Sequence, residues 1–140
     1  MNSTDKGKGS YYNLEARTLK FAADCIQYVQ VIPKSLPNIE ISKQLIRSSG
    51  SIGANYIEAN EALGKKDFIM HVKISKKEAK ETCYWLKLTQ PGSNLSKNRD
   101  DLVRESDELT RILGAIWLRY IENNPELGPF VKNQISTPKE

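Results

Sequence analysis

The sequence predicts an all-α protein, an antiparallel up-down-up-down four-helix bundle. Three observations carry that expectation. Four stretches repeat apolar residues at helical spacing, short pieces rich in Pro, Gly, Asn and Ser separate them, and no stretch alternates apolar and polar residues as a half-buried strand does. Segments of roughly 20 to 26 residues, joined by short loops, pack most simply side by side with neighbours running in opposite directions.

The first helix is expected from about Asn13, a residue suited to an N-cap, to about Ile32, with Phe21, Cys25, Val29 and Ile32 among its apolar positions. Pro33 and Pro37 punctuate the stretch that follows, because proline lacks an amide donor and pushes its predecessor out of the α region. The second helix is expected from near Asn38 to about Leu63. Its seam of Leu45, Ser49, Ile52, Tyr56, Ala59 and Leu63 alternates steps of four and three. Gly64 breaks it. The third helix is placed from about Lys65 to Thr89, and the fourth from Asn98 to about Asn123, where Leu102, Ser106, Leu109, Leu113, Ile116 and Tyr120 repeat the same spacing. Residues 1–12 are expected to be a flexible N-terminus, 13–124 the bundle, and 125–140, with three prolines, an irregular tail.

A length of 140 residues suits one domain with a sizeable core. Hydrophobic residues at 39%, charged residues at 27% and a mean hydropathy of -0.55 are those of a soluble globular protein. No apolar run approaches the ~18 residues of a membrane span, and the first residues lack the apolar core of a secretory signal, so the expected location is the cytoplasm. Cys25 and Cys83 are too few and too far apart for a disulfide framework or a zinc site and read as free, buried thiols. The net charge of +4 permits a nucleic-acid partner without requiring one. Its placement is more informative: between Lys65 and Lys87 seven lysines face only Asp67, Glu78 and Glu81, so this segment holds the whole surplus.

The second and third helices also carry a recognisable pattern. Gln44-Leu45-Ile46-Arg47-Ser48, Ser51 through Ala59 (SIGANYIEA), Asp67-Phe68, Lys77 through Thr82 (KEAKET) and Trp85-Leu86 resemble the 23S rRNA-intervening-sequence protein family over about Leu14 to Ile121. The resemblance implies an antiparallel four-helix bundle assembled into a ring-shaped homo-oligomer, commonly a pentamer, without enzyme activity or cofactor. Members are encoded in inserts of large-subunit ribosomal RNA genes. The family is similar to the accessory protein of diversity-generating retroelements, a basic bundle that works with a reverse transcriptase and nucleic acid. Here Gly64 stands where a Ser or Thr cap is usual, and the polar Thr89-Gln90-Pro91 where the third helix often continues apolar.

Among chemistry-bearing residues, metal ligation finds little support. A di-iron bundle needs Glu-x-x-His motifs, and the single histidine, His71, has Phe68 three residues before it. The cysteines lie in apolar-periodic helix rather than beside a base, and no phosphate-binding loop is present. The polar signature of the family pattern is Arg47, Asn55, Glu58, Glu78 and Glu81. Glu78 and Glu81 fall on the flank of the third helix that carries Ile74 and Trp85, so they face packing partners. They suit two readings: paired carboxylates for acid-base work, or acids satisfied by the planar donor fork of Arg47 to set helix register.

Lys66, Lys73, Lys77 and Lys80, with Lys76 and Lys87 close by, fall within an arc of about 100° on the third helix, because steps of three, four and seven return to one face. Such a row matches phosphate contacts that hold RNA or DNA without reading its sequence, and it equally matches a solvated face that keeps a bundle soluble. Repetition around a ring would let weak patches act together. Ile69, Met70, Tyr84 and Leu88 interrupt the row and are expected at an oligomer interface. The expectation is a non-enzymatic, homo-oligomeric binding or scaffolding module that contacts nucleic-acid backbone. The rival is a protein adaptor for a partner enzyme such as a reverse transcriptase.

Overall fold

Local chemistry sets where each helix begins and ends. The computed structural model describes residues 13–135, and within them lie helices α1 (Leu14–Val31), α2 (Leu36–Asn60), α3 (Lys65–Leu88), α4 (Ser96–Glu122) and α5 (Gly128–Ile135). Short 3-10 turns at Ser93–Leu95 and Pro125–Leu127 precede α4 and α5. No strand occurs among the described residues. Ser35 caps α2 by accepting the Asn38 amide at 3.3 Å, and Pro37 occupies the first turn, where an absent amide costs no hydrogen bond. Hence α2 starts at Leu36, two residues before the expected Asn38. It also ends early, at Asn60, which leaves Leu63 fully exposed rather than on the seam. Gly64 begins α3 and Asp67 adds a favourable charge to its first turn.

The contacts between helices step in opposite directions along each pair of neighbours. On α1 and α2, Asn60 donates to Glu15 at 2.8 Å, and further along, Thr18 lies beneath Gly53. On α2 and α3, Ser75 donates to the Ile52 carbonyl at 2.7 Å, the Thr82 and Ser48 hydroxyls meet at 2.9 Å, and Asn38 clasps Gln90. On α3 and α4, the Phe68 and Tyr120 rings lie 4.4 Å apart, and Lys73 reaches Trp117. Arg17 and Glu105 join α1 to α4 at 2.7 Å. The first four helices therefore form an antiparallel bundle in which each packs on the next and α4 closes on α1.

The main core runs down the bundle axis from Leu14, Phe21 and Cys25 through Leu45, Ile52 and Val72 to Leu109 and Leu113. Small residues line the α2–α3 contact: Ser48, Ser75, Ala79 and Thr82 are all fully buried. Their size brings the helices close, and each hydroxyl finds a partner inside the contact. Among the described residues no buried side-chain nitrogen or oxygen is unpaired.

The segment 125–135, expected to be irregular, instead folds back as a 3-10 turn and α5. Leu127 and Val131 bury against Ile69 in a second, smaller core flanked by Phe68, Trp117 and Phe130. Its prolines do not oppose this: Pro125 opens the 3-10 turn and Pro129 is the second residue of α5, both first-turn positions. The expected flexible segment 1–12 and the stretch 136–140 lie outside the described residues.

Candidate nucleic-acid interface

The α3 lysines follow the outer edge that α3 shares with α4. Lys77, Lys80 and Lys87 are exposed, while Lys73 and Lys76 are half-buried. The Lys73 ammonium lies 4.5 Å over the Trp117 ring, and Lys66 lies 5.6 Å over Phe130, both cation–π contacts. Lys76 runs its methylene chain along α4 at Gly114, where a built Cβ would meet it at 3.4 Å. Burial lowers the pKa of Lys73, and repulsion from Lys76, Lys77 and Lys80 adds to the effect. The Lys73 ammonium is thus close enough to those of Lys76, Lys77 and Lys80 to feel all three. Among the described residues, no carboxylate forms an ion pair with Lys73, Lys76, Lys77, Lys80 or Lys87. On α4 the situation is the reverse, since Lys97, Arg99, Arg104 and Arg111 all pair with nearby aspartates.

The polar signature divides. Arg47 reaches from α2 to both Glu78, at 3.4 Å, and Glu81 on α3. The Trp85 indole donates to the same Glu81 oxygen at 2.9 Å, one turn along the helix. Trp85 and then Arg47 hold the Glu81 carboxyl below the usual carboxylate range. An acid held ionised by two donors is poorly suited to proton transfer near neutrality. Asn55 and Glu58 do not join this group: Asn55 donates to the Ser51 carbonyl of its own helix at 2.9 Å, and Glu58 is exposed.

Of the residues expected at an oligomer interface, Met70, Tyr84 and Leu88 are exposed, and Ile69 is not. It is only 1% exposed, covered by Leu127 and Val131 of its own chain. His71 Nδ1 lies 3.0 Å from the Asp67 carbonyl, a contact within its own helix. Cys25 and Cys83 are free thiols; Cys25 is fully buried, as expected of both, whereas Cys83 is only half-buried. Sequence reasoning missed Asn38, whose side chain donates to the Pro33 and Gln90 carbonyls and accepts the Gln90 amide at 2.8 Å, and it missed Trp117. The helix-start pattern around Ser35 and Asn38 was the available signal for the first.

The model of the 23S rRNA-intervening sequence protein family matches residues 13–115. The chain belongs to that family. A crystal structure of a protein of unknown function from the S23 ribosomal protein family of Bacteroides thetaiotaomicron is 32% identical, with a TM-score of 0.65. That likeness covers 74% of this chain and 93% of the relative. No curated protein matches the chain. For this member of the 23S rRNA-intervening sequence protein family, the matched segment includes the whole lysine row and the Arg47 clamp, whereas Trp117 and α5 fall beyond it.

Proposed function

We propose that this protein is a non-enzymatic, self-associating scaffold whose α3 lysines hold nucleic-acid backbone without sequence preference. The observation that carries this reading is the row Lys73, Lys76, Lys77, Lys80 and Lys87, free of carboxylate partners among the described residues on a molecule whose α4 cations Lys97, Arg99, Arg104 and Arg111, though not Arg119, are locally neutralised. Ammonium groups without carboxylate partners, crowded around Lys73, favour a polyanion, because phosphates offset the like charge and release their own counterions. Self-association rests on exposed apolar residues. Met70, Tyr84 and Leu88 stand on α3, and Ile39, Ile46 and Ile57 share an outward face of α2 at steps of seven and eleven. The family's name, 23S rRNA-intervening sequence protein, is a further support for a nucleic-acid partner.

The test is a titration of RNA and duplex DNA at two salt concentrations. Affinity should fall steeply with salt, and a Lys77→Glu/Lys80→Glu/Lys87→Glu variant should bind weakly while keeping its sedimentation behaviour. Each lost phosphate contact should flatten the log–log salt slope by about 0.9. Absence of binding at low salt would favour a protein adaptor, and a lone protomer in sedimentation would remove the scaffold.

A further inference from the structure

A cavity of about 170 Å3 opens where α5 lies against α3 and α4. Met70, Ile74, Trp117, Phe130 and Val131 supply its hydrocarbon and aromatic lining, and Lys73 and Lys77 stand at its edge. Trp117, Phe130 and Val131 lie beyond the segment that the family model matches, whereas Met70, Lys73, Ile74 and Lys77 lie within it. We infer that it binds a single-ring aromatic carboxylate, with the ring against Trp117 and Phe130 and the carboxylate on Lys73 and Lys77.

Size and chemistry both select this class. An apolar cavity of about 150 Å3 accommodates a benzene ring. A nucleobase or sugar fits poorly, because its polar edges would meet methyl, thioether and ring carbons and leave hydrogen bonds unmade. Aromatic walls favour a flat ring, which can stack offset or edge-on. The two ammonium groups fix the sign of the head group. Neither has a carboxylate partner among the described residues, and Lys73, partly buried beside its cationic neighbours, has the Trp117 ring as its compensating contact. A carboxylate there replaces repulsion with charge-assisted hydrogen bonds.

The experiment follows the Trp117 indole resonance by NMR, assigned with a Trp85→Phe variant, during titration with phenylacetate and with the neutral benzyl alcohol. The expected result is a saturable shift with a Kd on the order of 1 mM, ordinary for so few atoms. Benzyl alcohol should bind about tenfold more weakly, and Lys77→Gln, an exposed and structurally mild change, should weaken phenylacetate about tenfold. No Trp117 shift at phenylacetate concentrations on the order of 10 mM, or equal affinity for acid and alcohol, would overturn the inference. The titration contains no nucleic acid, so its outcome is independent of the RNA experiment.

Discussion

Arg47 on α2 and Glu81 on α3 are joined across the seam between the two helices, and the Glu81 oxygen that Arg47 contacts also accepts the Trp85 indole N–H. Because Arg47 is half-exposed, solvent screens the pair, and Arg47→Ala should cost only about 0.5–1 kcal/mol. The sign of its pH dependence follows from the depressed Glu81 pKa. The folded state binds the proton less readily than the unfolded chain, so the contribution is complete above the ordinary value of 4.5 and fades as pH falls through the depressed one. Urea unfolding should therefore separate wild type from Arg47→Ala at pH 7, and the gap should narrow as the pH is taken below 4.5 and through the depressed value. A gap that persists in acid would show that the arginine acts through packing alone.

Gly53 is required by the approach of α1 to α2. A Cβ at this position would lie 2.7 Å from Thr18 Oγ1 and 3.2 Å from Thr18 Cβ. Thr18 is 1% exposed and donates to the Glu15 carbonyl at 3.0 Å, so it has little freedom to withdraw. Alanine gains about 0.5–1 kcal/mol in helix propensity, and the clash costs about 1–3 kcal/mol. Gly53→Ala should consequently lower the thermal midpoint. Thr18→Ala combined with Gly53→Ala should recover part of the loss, a coupling visible in a double-mutant cycle.

Asn38 joins the α1–α2 turn to the end of α3 through three side-chain hydrogen bonds. Asn38→Ala leaves the Gln90 amide and two carbonyls to find other partners in a site that is almost closed to solvent. The expected cost is about 2 kcal/mol by chemical denaturation. A change below about 0.5 kcal/mol would mean that water replaces all three bonds without penalty.

Much of this was legible beforehand. The apolar seams of α2 and α4 place Leu45, Ile52, Leu109 and Leu113 in the core because helical spacing leaves them one face to share. The Arg47 clamp follows from the same geometry, since Glu78 and Glu81 fall on the flank of α3 turned toward α2. Helix ends were harder, as Pro37 and Pro129 look like breaks in a sequence yet sit in first turns, where proline is tolerated. Ile69 shows a deeper limit. Periodicity reveals that it lies off the main seam and needs cover, but not that Leu127 and Val131, some sixty residues later, supply it. The lysine row was legible, whereas the bend of Lys73 over Trp117 depended on the register of two helices.

Cys25 illustrates burial acting on chemistry. Desolvation pushes its thiol up to about 12, against an ordinary 9.0, although a hydrogen bond with Ser49 opposes the shift. In a Cys83→Ser variant at about pH 8, a thiol reagent should label the protein only after denaturant is added. Because the folded pKa is raised, the unfolded chain loses its proton first, so stability should decline between pH 9 and about 12. Rapid labelling of the native variant would show that the core opens around α1.

The buried residues of the α5 core form a cluster of their own, joined to the main one through the half-buried Phe68 and Trp117, so it should be able to open alone. Leu127→Asp should speed amide exchange throughout α5 while leaving exchange in α2 unchanged, since local opening limits what the substitution can cost the bundle. Exchange rising equally in both helices would show that the two cores open as one.

The hydroxyl contacts Ser75–Ile52 and Thr82–Ser48 act as rivets between α2 and α3. Sliding one helix past the other by a turn would strand the Ser75 hydroxyl in a dry seam and part Thr82 from Ser48, which would keep only the Glu78 and Leu45 carbonyls of their own helices, so the observed alignment is favoured over a slipped one. A pull on the cationic ridge should therefore reach α2 through these contacts, with α2 and α3 moving together.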